Sequence, residues 1–141
     1  MAKDVNQLLV FDFGLKQIGI ATGSRISGLA SDLTVVAAKD GTPTWQDIQI
    51  IVEEWKPDLC LVGLPINMDG SESQLSQRAR KFANQLHGRF GVKTELIDER
   101  LSSFEAKQLA QELGHQGDYN KKPVDALAAR ILAEQWLSQH S

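Results

Sequence analysis

Apolar positions follow two rhythms along the chain. The first third holds short runs of strand formers. Leu8, Leu9, Val10, Phe11 and Phe13 predict a strand that Gly14 stops. Residues 18–23 predict a second strand, and the short turn between the two predicts an antiparallel hairpin. Residues 33–38 predict a third, after a Ser/Gly-rich connection. From there the spacing turns helical. Trp45, Ile48, Ile51, Val52 and Trp55 recur every three or four positions, as one apolar face of a helix does. Thr42 is read as its N-cap, Pro43 as its first residue and Pro57 as its end.

Residues 59–62 predict a buried strand closed by Gly63. Pro65, Asn67 and Gly70 mark residues 63–70 as a loop. Ser71 and Gln74 have the spacing of a capping box. Leu75, Ala79, Phe82, Leu86 and Phe90 form the buried stripe of the helix that follows. Residues 92–97 predict a fifth strand. Ser102 and Glu105 are read as a second capping box, opening a helix to about residue 113. Residues 114–122 are polar, and Pro123 starts an Ala-rich helix to about residue 137. Three antiparallel strands followed by alternating helices and strands predict an α/β fold. Its sheet is mixed and five-stranded, with a parallel portion and helices on both faces.

The 141 residues suit one domain spanning the chain, long enough to bury a single core. The formal net charge of −3 argues against binding nucleic acid by bulk positive charge and says nothing of a local basic groove. No apolar run approaches the roughly 20 residues needed to span a bilayer. The first apolar run is broken by Asp12 and preceded by an acid and an amide, so no signal peptide is expected. Cys60 is the one cysteine, which excludes an intrachain disulfide and a cysteine metal cluster. It lies among Leu59, Leu61 and Val62, where a small buried hydrophobe is expected. The compartment these features favour is the cytoplasm, with no membrane association.

Three groups of acids then change the picture. Asp12 interrupts an apolar strand, where an unpaired charge costs several kcal/mol; its ordinary reading is a cap on the Gly14 turn. Asp98 and Glu99 end the fifth strand, the edge where open α/β sheets hold ligands. Successive strand residues face opposite ways, so the two do not share a site if the strand continues. Arg100 pairs readily with either. Asp125 opens the last helix, where an acid suits the helix dipole, yet Ala128, Ala129 and Leu132 set it on or beside an apolar face. The four meet only if the first strand, the end of the fifth strand and the last helix are neighbours. Gathered carboxylates hold Mg²⁺ or Mn²⁺, hard ions that prefer oxygen. Two such ions activate water and stabilise a leaving oxygen in phosphodiester cleavage. His87, His115 and His140 show no zinc-ligand spacing.

These motifs resemble the YqgF (RuvX-like) family. Asp12-Phe13-Gly14-Leu15-Lys16-Gln17-Ile18-Gly19-Ile20-Ala21 resembles its opening motif, and residues 63–70 its characteristic loop. Asp98-Glu99-Arg100-Leu101-Ser102-Ser103 with Glu105-Ala106 is similar to its third motif, and Val124-Asp125-Ala126-Leu127-Ala128-Ala129 to its last. The likeness covers nearly the whole chain in order. Lys81-Phe82-Ala83-Asn84 and residues 87–92 resemble the enterobacterial type. Leu15, Gln17 and Ser103 depart from the usual residues; the acids do not. The resemblance implies a ribonuclease H-like fold related to the RuvC resolvase. It also implies a nuclease maturing the 5′ end of 16S rRNA, with Asp12, Asp98, Glu99 and Asp125 as catalytic, metal-binding acids for two ions.

Lys16 follows Asp12 by one turn and is expected on a phosphate. Loop 63–70 precedes a helix N-terminus whose N–H groups can receive another. Arg78, Arg80 and Lys81 share a helix, a solvated face in general and an RNA track beside a metal site. The expected nucleic-acid contacts are thus Lys16, Asn67, Arg78, Lys81, Arg100, Lys121 and Lys122, with Tyr119 as a stacking platform. The leading expectation is a metal-dependent endonuclease on precursor 16S rRNA, acting as a monomer or weak homodimer. A Holliday-junction resolvase acting on branched DNA needs two facing sites, hence a dimer. A non-catalytic RNA-binding assembly factor is the third reading.

Overall fold

The computed structural model describes residues 6–67, 69–98 and 124–139, with the backbone alone for 124–126. The expected helix at 102–113, its capping box, and the polar segment with His115, Tyr119, Lys121 and Lys122 lie outside them. Described elements run β1 (Gln7–Asp12), β2 (Gln17–Ser24), β3 (Leu29–Lys39), β4 (Thr42–Pro43), α1 (Trp45–Trp55), β5 (Leu59–Leu64), α2 (Gln74–Phe90), β6 (Thr94–Asp98) and α3 (Val124–Gln139). The strands form one mixed sheet in the order β4-β3-β2-β1-β5-β6. β1 is antiparallel to β2 and parallel to β5, and β5 is parallel to β6.

Six strands replace the expected five. Asp40 and Gly41 have φ of 50° and 82°. Positive φ at both central residues is the signature of a two-residue type I′ hairpin, for which Asp-Gly is a preferred pair. The chain therefore folds back, setting Thr42 opposite Lys39 and Pro43 opposite Ala38. Pro43, which has no N–H to donate, sits on the sheet's edge strand, where proline is tolerated. This corrects the expected helix start: Thr44 is the N-cap and Trp45 the first helical residue.

The second helix start also moves. Ser71 does not cap α2, because its N–H and hydroxyl both donate to the Asp69 carboxylate, at 2.8 and 2.6 Å. The capping box is Ser73 with Ser76: the Ser73 N–H donates to Ser76 Oγ at 3.0 Å, and the Ser76 N–H to Ser73 Oγ. Ser76, fully buried, also donates its hydroxyl to the Pro65 carbonyl, tying the loop to the helix.

The central strands are apolar on both faces, as strands covered on both sides must be. Alternation divides them. Leu9, Phe11, Cys60 and Val62 pack with Ile48 of α1 and with Ala79, Phe82 and Leu86 of α2. Leu8, Val10, Leu59 and Leu61 pack with Ala129, Leu132, Ala133 and Trp136 of α3. Small residues let α3 approach closely. A Cβ built on Gly23 would lie 3.4 Å from Leu137 Cδ1 and from Leu8 Cδ1, and 3.7 Å from Ala133 Cβ.

Two outcomes follow. Ala133→Leu overfills this seam and is expected to cost about 1–3 kcal/mol, seen as a lower urea midpoint with an unchanged slope. Burial pushes the Cys60 thiol up to about 12. A thiol reagent at pH 8 is therefore expected to label the protein only at the rate of its unfolding.

Candidate functional site

Asp12 is the last residue of β1 and is half-buried. It shares the α3 face of the sheet with Leu8 and Val10, by strand alternation. Its partner on β2 is Gly19. Continuing the β1–β5 ladder one step past Phe11 and Val62 sets Gly63 on its other side. Both neighbours lack side chains. This pair of glycines was not singled out in the sequence. The signal was there in principle, since a glycine inside a strand often marks a close approach.

The direction of α3 bears on position 125. Ala133 packs at Gly23 and Leu8, near the start of β1. From Ala133 back to position 125 the helix climbs about 12 Å, at roughly 1.5 Å per residue. From Leu8 to Asp12 the strand advances about 13 Å, at roughly 3.3 Å per residue. Arg130 pairs with Asp32, level with Val10 through Ala21, while Leu137 lies at Gly23, level with Leu8, so α3 runs toward the start of β1 and its first turn lies toward the Asp12 end.

Asp98 is placed differently. It ends β6 opposite Leu64, two strands from β1, and is exposed. Ile97 packs on the α3 side and Leu96 on the α1/α2 side. Alternation therefore sets Asp98 on the face opposite Asp12. Glu99, Arg100, Lys121 and Lys122 lie outside the described residues, as does the side chain of Asp125. Among the described residues no group of three or more His, Cys, Asp or Glu is placed to hold a metal. The candidate set is nonetheless chemically uniform. Each member is a carboxylate, an oxygen donor suited to a hard divalent ion.

The turn beyond Asp12 is tightly built. A Cβ on Gly14 would lie 2.5 Å from the Gln17 carbonyl oxygen. The carbonyls of Leu15 and Lys16 accept from the N–H groups of Gly41 and Ala38, each at 2.8 Å. Lys16 is exposed here, beside Asp12.

Loop 63–70 is closed on itself. Asn67 donates its N–H to the Ser71 carbonyl at 2.9 Å and its amide to Ser71 Oγ at 3.0 Å. The Gly70 N–H donates to the Asn67 carbonyl. The N–H groups of Asn67, Gly70, Ser71 and Ser76 are thus spent within the loop and its cap.

The cations of α2 lie on the sheet face opposite Asp12, and most are engaged. Arg78 pairs with Asp40 at 2.9 Å and Arg80 with Glu72 at 2.5 Å. These guanidinium groups hold the Asp40 and Glu72 carboxyls below their ordinary range, and Glu72 raises Arg80. Arg89 stacks over Trp45 at 4.4 Å. Lys81 is exposed and makes no ion pair among the described residues.

Comparison with known proteins identifies the class first. The architecture is the ribonuclease H-like fold of RuvC-type resolvases. Thermus thermophilus RuvC bound to a Holliday-junction substrate superposes with a TM-score of 0.58 at 11% identity, covering 96% of this chain and 95% of that one. The fowlpox virus resolvase in its Holliday-junction complex gives 0.56 at 12% identity, covering 95% and 98%. Residues 6–139 match the RuvX family, described as Holliday junction resolvase, and the chain belongs to that family. A relative from Saccharophagus degradans is 52% identical over 94% of both chains, and one from Escherichia coli is 52% identical over 94% of this chain and 96% of its own. Both carry the name "Putative pre-16S rRNA nuclease". Among the described residues no helix is long and apolar enough to cross a membrane.

Gly14→Ala is expected to displace the turn next to Asp12 and to cost about 1–3 kcal/mol, as overpacking does. The check is a urea midpoint for the variant against the parent.

Proposed function

We propose that this chain is a divalent-metal-dependent endonuclease that hydrolyses phosphodiester bonds near the 5′ end of precursor 16S rRNA in the cytoplasm. One observation supports the reading: α3 runs from the Asp12 end of the sheet toward the start of β1, and Asp12 lies beside Gly19 on the face that α3 covers. The relatives' name supplies the substrate.

Asp12 and Asp125 form the metal-holding pair. Asp98, the last residue of β6, alternates to the other face, so Glu99 is taken as the acid of the Asp98-Glu99 pair that completes it. Bound Mg²⁺ or Mn²⁺, as two ions, supplies an activated water and carries charge that develops on the leaving oxygen. Lys16, exposed on the turn beside Asp12, binds a substrate phosphate as a point charge. The net charge of −3 leaves phosphate affinity dependent on the metals.

The family's description favours a second reading, a resolvase on four-way DNA junctions. Its paired cuts need two sites and hence a dimer, whereas RNA trimming needs one. Purified protein incubated with precursor 16S rRNA and with a four-way junction, each with and without Mn²⁺, separates the two. Metal-dependent cutting of the RNA alone is expected; cutting of the junction alone, by a dimer, replaces the first reading with the second.

Asp12→Asn and Asp125→Asn are each expected to lower RNA cleavage by on the order of 10²–10³-fold or more, as loss of one charge-stabilising group does, with little change in melting temperature. Full activity in either variant removes that residue from the site. Filter binding in EDTA is expected to show weaker RNA retention than in Mg²⁺.

A further inference from the structure

Arg78, expected from the sequence to track RNA, has its hydrogen bonds directed inward. Its Nη1 donates to the Asp40 carbonyl and to Asp40 Oδ1, both at 2.9 Å, and Nη2 reaches Asp40 Oδ2 at 3.4 Å. Asp40 is one of two non-glycine residues with positive φ among those described, a conformation that L-residues adopt reluctantly. The guanidinium thus grips the backbone and the side chain of a turn residue held in an uncommon conformation.

That turn grips the next one. The Gly41 N–H donates to the Leu15 carbonyl at 2.8 Å. A Cβ on Gly41 would meet Phe13 Cζ at 3.0 Å, and Arg78 Nη1 and Leu15 Cδ2 at 3.4 Å each. Gly41 is therefore packed at once against Arg78 and against Phe13 and Leu15, just after Asp12. The connection runs from α2, through Asp40 and Gly41, to Leu15, three residues beyond Asp12. An exposed ion pair contributes little to stability by itself; here the pair matters through what it holds.

We propose that Arg78 is a positioning residue, clamping the turn 13–16, and with it Asp12, through Asp40 and Gly41. The catalytic part of this rests on the nuclease reading above. Binding RNA through Arg78 would require breaking the bonds that hold the clamp. Arg78→Ala removes every bond of the clamp, whereas Asp40→Asn keeps the carbonyl acceptor at position 40 and should fall between parent and Arg78→Ala. Arg78→Lys keeps the charge and loses the fork, so it should fall between parent and Arg78→Ala.

The test has three readouts on the full chain: steady-state cleavage of precursor 16S rRNA, RNA affinity in the Asp12→Asn background, and amide exchange at Gly41. Arg78→Ala is expected to lower kcat by about tenfold and Asp40→Asn by less, since small misplacements of catalytic groups carry costs of this order or more. KM and RNA affinity should stay within about twofold, and Gly41 exchange should accelerate by about tenfold, as local opening does when a holding contact is lost. Raised KM with weakened binding and unchanged kcat would make Arg78 an RNA contact and overturn the proposal. Parent-like values in all three readouts would overturn it too. A parent protein that cleaves nothing, or an Asp12→Asn variant that cleaves normally, sinks the nuclease reading instead, so the two failures are told apart.

Discussion

The arrangement depends on how closely α3 can lie against the sheet. A helix with large residues at 129 and 133 would stand off from β1 and β2. With alanine at both positions and glycine at 23, the helix settles until its side chains touch the strands. Close seating has a cost, because backbones that approach leave little room for error in volume. The return is positional. α3 runs toward the start of β1, so its first turn lies toward the end of β1 that carries Asp12.

The two sheet faces have different work. The face under α1 and α2 is an aromatic core in which Phe82 meets Phe11 at 5.7 Å, Phe13 at 5.4 Å and Trp45 at 5.5 Å. That cluster holds the frame and fixes Phe13, just after Asp12. The other face carries the acid. Three basic residues of α2 belong to the frame: Arg78 and Arg80 neutralise carboxylates, and Arg89 covers Trp45. Exposed pairs of this kind add little stability, yet they remove charge from any RNA track on that helix. A basic stretch of sequence and a basic surface are therefore different things here.

Much of the frame was legible in the residues. The apolar spacing from Trp45 to Trp55 marked α1, and the stripe from Leu75 to Phe90 marked α2. The mid-strand carboxylate of Asp12 marked one acid. The misses have identifiable causes. Asp40-Gly41 is a strong hairpin signal that the neighbouring Thr42-Pro43 helix-start pattern outcompeted. Ser71 and Ser73 both stand where a cap could stand, and only the pull of Asp69 on Ser71 decides between them. Gly19 and Gly63 gained meaning once the ladders set them beside Asp12. Arg78 reads as one of several cations until its partner, 38 residues away, is placed.

By itself the sequence determined the elements, the mixed α/β class, the two-sided burial of the central strands and the identity of the candidate acids. Hydrophobic period, turn residues and an acid in an apolar run are local properties, written within a few positions of one another. The tertiary structure alone decided that Asp12 and Asp98 alternate to opposite faces, which of the described basic residues are paired, and that α3 begins toward the Asp12 end of β1. Those outcomes depend on register, strand order and helix direction. Each is set by packing between segments distant in sequence, where side-chain volume and not local pattern selects the arrangement.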